Sequence, residues 1–153
     1  MTKNFFKKGI TLVEVLIVCS VLGIILAVVI PQFAKTRELQ VLKSATGDIL
    51  SSLNKARSQT LASLNSSSYG VHFQSNKVII FKGTVFSQSD INNETVAITS
   101  PATISSITLV GGGADIYFNR LSGVPSKTGS VIVSGPNFTK TITIDATGAA
   151  SVN

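Results

Sequence analysis

From Ile10 to Ile30 the chain carries a single charge, Glu14, in an otherwise apolar run. No other feature restricts the fold so much. As a helix this run spans about 30 Å, the thickness of a bilayer's hydrocarbon core, so it reads as a membrane segment. Lys3, Lys7 and Lys8 precede it. Such a basic flank predicts a cytoplasmic N-terminus, with everything after the segment sent to the other side. No A-x-A-like site follows the run, so an ordinary cleaved secretory signal is the weaker reading.

Pro31 ends the run. A proline inside a helix removes one backbone hydrogen bond and kinks it, so Pro31 is the expected helix kink. Beyond it, Leu39, Leu42, Thr46, Ile49, Leu53, Ala56, Thr60 and Leu64 recur at three- and four-residue steps. That spacing gives one amphipathic face, with Asp48, Lys55 and Arg57 largely off it. Asn65-Ser66-Ser67-Ser68 is the expected stop. The expectation is one long helix over residues 10–65, with its transmembrane part at 10–30.

After Ser68 the period changes to two. The runs 69–73, 77–82, 95–99, 104–110, 115–118, 130–134 and 140–145 are short and rich in β-branched residues. Gln74-Ser75-Asn76, Gly111-Gly112-Gly113, Ser122-Gly123, Gly135-Pro136-Asn137 and Thr147-Gly148 separate them as turns. The fold class expected is α+β: a long N-terminal helix packed on an antiparallel, β-sandwich-like head over residues 66–153.

Composition removes several functions. The net charge of +6 invites a nucleic-acid reading, but from residue 66 onward five basic residues face four acidic ones. The basic excess therefore belongs to the N-terminus and helix, not to a binding face on the head. Cys19 is the only cysteine, so no internal disulfide forms, and zinc would need more ligands than one Cys and one His. His72 is the only histidine, and it lies in an expected strand beside aromatic residues, where a structural role outweighs catalysis. The triple glycine lacks the Lys-Ser/Thr of a phosphate loop. Asp145, Thr147 and Gly148 read as a turn, with a weak calcium site as the alternative. No catalytic residue, metal or cofactor is expected.

Glu14 is the residue left to explain. An acid in a membrane segment is costly and is a functional hypothesis by default; near the segment's end, snorkelling to the interface is the alternative. Lys7-Lys8-Gly9 stands just before Ile10, and Glu14 is four residues on. A cut between Gly9 and Ile10 would create a cationic α-amine on the face that Glu14 shares. Glu14 would then meet that amine, its own or a neighbouring subunit's, near the positive end of the helix.

At this point the sequence resembles a known family. KKGITLVEVLIVCSVLGIILAVVIP, Lys7 to Pro31, is similar to the class III signal peptide and N-terminal helix of type IV pilins and type II secretion pseudopilins. The resemblance implies a leader over residues 1–9 with Lys3, Lys7 and Lys8 as its charges. It implies cleavage by a prepilin peptidase after Gly9, N-methylation of Ile10, and Glu14 as the assembly residue. Asn54–Ser58, Tyr69–Phe73, Ile116–Gly123, Ser130–Gly135 and Thr141–Val152 together resemble the GspH/FimT group of minor pilins. That likeness implies a minor pseudopilin of a type II secretion system, not an enzyme. It would be held in the inner membrane with its head outside, then added to a filament or its tip. Its partners would be the peptidase, other pilins or pseudopilins, and an inner-membrane assembly platform. The alternative is a minor type IV pilin for pilus assembly, adhesion or DNA uptake. DNA binding in this group is attributed to basic residues near the C-terminus, and residues 146–153 contain none; Lys127 and Lys140 are the nearest cations. Two dispersed lysines make a weak phosphate footprint, so nucleic acid ranks below protein partners.

Overall fold

The computed structural model describes residues 9–153, so the leader lysines Lys3, Lys7 and Lys8 lie outside the described residues. The chain divides into two compact units, Met1–Thr36 and Arg37–Asn153. Helix α1 (Leu12–Leu61) contributes to both. The division falls within the expected helix, so the amphipathic part of α1 belongs with the strands.

In the first unit every described residue is exposed. The helix there has a window of mean hydropathy 3.0 and buries none of it. A helix apolar on all sides has no aqueous face, and this one is long enough to cross a membrane. Its length and apolarity fit the anchor expected from the sequence. Pro31 lies inside α1, with helical residues on both sides.

The second unit is built on two four-stranded antiparallel sheets. The first has the order β3 (Glu94–Ala97), β2 (Lys77–Lys82), β1 (Tyr69–Gln74), β5 (Asp115–Tyr117). The second has the order β4 (Thr103–Leu109), β6 (Gly129–Ser134), β7 (Thr139–Ile144), β8 (Ala150–Val152). The chain passes from the second sheet back to the first between β4 and β5, through Gly111, Gly112 and Gly113. All three have positive φ, which a side chain would strain. Both sheets and α1 share one core: Leu42, Ile49 and Leu53 from the helix, Val71, Phe73 and Val78 from the first sheet, Val131, Val133 and Ile142 from the second.

Seven of the eight strands coincide with the expected runs to within two residues; β8 was not expected. The helix stops earlier than its expected end at residue 65. Ser63 adopts a left-handed conformation, φ 49°, and a separate 3-10 turn follows at Leu64–Ser66. The buried stripe also shifts. Leu42, Thr46, Ile49, Leu53, Ala56 and Thr60 are buried as expected, but Leu39 and Leu64 are exposed. Glu38, Ala45 and Ser52 are buried with the stripe.

Candidate functional site

Gly9, Ile10 and Thr11 precede the helix and are exposed. The helix begins at Leu12 because Thr11 caps it. The backbone N–H of Glu14 donates to Thr11 Oγ1 at 3.3 Å, and that of Val15 donates to the Thr11 carbonyl at 3.2 Å. These bonds are the two marks of an N-cap residue. Thr11-Leu12-Val13-Glu14 also has capping-box spacing, a signal the sequence reading passed over. The acid falls in the first turn, where the helix's unpaired N–H groups make the potential positive. Ile10 and Glu14 line one shallow groove with Val15, Val18 and Cys19, so the two residues expected to work together share a surface.

Among the described residues, a side chain at Gly9 would meet nothing within 4 Å.

In the second unit, side chains of α1 bind loops of the head. Glu38 is only 7% exposed. It accepts bonds from the Asn137 backbone N–H at 2.6 Å, the Asn137 side-chain amide at 2.7 Å and the Phe138 N–H at 3.2 Å, all in the β6–β7 turn. The Asn137 side-chain amide, then its backbone N–H, holds the Glu38 carboxyl below its usual range; burial opposes this, and the Phe138 N–H adds to the lowering. Arg57 donates to the carbonyls of Gly123, at 3.2 Å, and Thr147, at 2.8 Å. Arg120 returns two bonds to Ser63 Oγ, at 3.0 and 2.6 Å. Thr60 Oγ1 accepts the Tyr69 N–H at 2.8 Å, joining the end of α1 to the start of β1. Thus segments 54–58, 116–123 and 141–152, quoted above for their resemblance, meet around Arg57.

The remaining polar candidates are structural in their surroundings. His72 pairs with Asp115 on the adjacent strand and stacks on Phe86, ring centroids 3.9 Å apart and 5° from parallel. Asp145 accepts the Gly148 N–H at 2.9 Å, forming the turn expected there. Lys127 donates to the Gly112 carbonyl at 2.6 Å. Among the described residues no group of three or more metal-ligating side chains occurs.

Residues 5–30 match the family model described as the prokaryotic N-terminal methylation motif. No relative among the curated proteins and no solved structure matches the chain. A methylation motif on an apolar N-terminal helix is a mark of the pilin-like class, and here a β-sheet head follows it. The motif supports a type IV pilin-like protein, and it implies processing by a prepilin peptidase and assembly with other pilins. The match ends at residue 30, before the head begins.

Proposed function

We propose that this protein is a minor pseudopilin of the GspH/FimT kind, working in a type II secretion system as a structural subunit rather than an enzyme. It waits in the inner membrane with its N-terminus cytoplasmic and its head outside. A prepilin peptidase cuts between Gly9 and Ile10 and methylates the new Ile10 amine. Helix packing then adds the subunit to a filament or its tip, above an inner-membrane assembly platform. Glu14 directs this step, because a neighbour's terminal amine neutralises a carboxylate that a lone subunit leaves in lipid.

The observation that carries the reading is an exposed, non-helical Gly9–Ile10 bond whose Ile10 lines one groove with Glu14, within the matched motif. Gly9 supports it separately. An uncrowded Gly9 is compatible with access by an outside enzyme. The two loops gathered on Arg57 give the head a braced surface at the end of α1, suited to contacts with other minor subunits.

The test is the secreted-protein profile of a strain lacking this chain. Accumulation of exoproteins within the envelope, reversed by re-expression, is expected. Normal secretion combined with lost surface pili or lost DNA uptake would overturn the secretion role in favour of a minor type IV pilin.

A further inference from the structure

We infer that Thr11 is a positioning residue for processing: its cap fixes the start of α1 and keeps the Gly9–Ile10 bond outside the helix. This rests on the processing reading above. A peptidase engages its substrate as an extended strand, through backbone groups that a helix would occupy. The Glu14 N–H has two acceptors within reach of a helix start. One is the Thr11 hydroxyl, which it uses at 3.3 Å. The other is the carbonyl of Ile10, four residues back, which it would use if the helix grew upstream. The same growth would aim the Val13 N–H at the carbonyl of Gly9, the carbonyl that must be attacked. In or near lipid an unpaired N–H is expensive, so a first turn without its cap extends upstream in search of acceptors. The Thr11 side chain satisfies one of those donors locally and leaves the Gly9 carbonyl free. Its own carbonyl already accepts the first helical bond, from Val15 at 3.2 Å, which places the boundary at Thr11.

The experiment uses the full chain in membranes with a prepilin peptidase, following leader loss by mass spectrometry. Thr11→Val keeps size and branching but removes the hydroxyl; Thr11→Ser and Thr11→Asn both retain a capping side chain. Cleavage of the Val variant is expected to slow roughly fivefold, the worth of a typical N-cap, with Ser and Asn within about twofold of the parent. Amide exchange at Val13 should slow in the Val variant, as that N–H gains the Gly9 carbonyl. Cleavage of the Val variant at the parent rate would overturn the inference. So would an Asn variant as slow as Val beside a normal Ser variant, because the enzyme would then be reading the hydroxyl itself. A parent chain left uncut at Gly9–Ile10 would instead remove the processing reading, and the inference with it.

Discussion

Glu14 and Glu38 lie on one helix and meet opposite conditions. Glu14 is exposed in the apolar segment and makes no ion pair among the described residues. Its chemistry is completed by another chain, on the reading proposed here, and a substitution should therefore act only at assembly. Glu14→Leu is expected to leave membrane insertion intact and cleavage largely intact, while incorporation into sheared filaments drops; normal incorporation would reduce Glu14 to a snorkelling side chain. Glu38 is satisfied within its own unit by three donors. Its carboxyl is lowered in the folded state, so the unfolded chain binds its proton more tightly. The stability this supplies is present above the ordinary glutamate value of 4.5 and is lost as pH falls below it, through the folded value. Asp90, lowered chiefly by the backbone N–H and then the amide of Asn92, adds to this loss below its own ordinary value of 3.8. Thermal melts of the parent should therefore fall as pH drops below about 4.5. Glu38→Gln should melt lower than the parent at neutral pH, with a shallower fall in acid; parallel curves would refute the role of Glu38.

At the scale of elements, the strands were legible because they are short runs rich in β-branched residues, bounded by turn residues. The β2 run Lys77–Lys82 was bounded to the residue. Strand β8 was missed because Ala150-Ser151-Val152 has one β-branched residue, and its existence depends on pairing with β7. The helix stripe was legible where apolar residues make it, from Leu42 to Thr60. It was misread at its start because Glu38 is polar in sequence, and its partners lie 99 and 100 residues away. Nothing local marks Arg57 as a clamp either, since its acceptors are backbone carbonyls of distant turns. In the core, Ile49→Ala should cost about 2–5 kcal/mol in chemical denaturation, since Ile49 is fully buried among helix and sheet side chains. At the clamp, Gly148 has φ +78°, and a Cβ there would lie 2.4 Å from the Gly123 carbonyl oxygen and 2.9 Å from Arg57 Nε. Gly112 has φ +73° with open space around it. Gly112→Ala should therefore show the backbone penalty alone, about 1–2 kcal/mol, and Gly148→Ala clearly more. Equal losses would mean the turn moves away from Arg57 at no cost.

For the whole molecule, the two units answer to different solvents. Among its described residues the first buries none and carries an apolar surface along its helix, which a membrane or neighbouring helices must cover. The second is closed on itself: its core runs from Leu42 to Ile144, and the carboxylate that binds the β6–β7 turn enters at Glu38. Both halves of that plan were legible, one as an uninterrupted apolar run and the other as a change from helical to strand period. The boundary between them was not, because α1 continues across Thr36 and Arg37 with no break in helical pattern. It follows that residues 37–153, made without the anchor, should be soluble and unfold in one cooperative transition. A fragment starting at Leu42 keeps the apolar core but lacks Glu38, so it should melt at a lower temperature and lose much of the parent fragment's acid sensitivity. Calorimetry of the two fragments at neutral and acid pH decides this. Identical melts would show that the unit begins at its apolar core and that Glu38 adds nothing; a 37–153 fragment without a cooperative transition would show that the anchor half of α1 is needed to hold the head together.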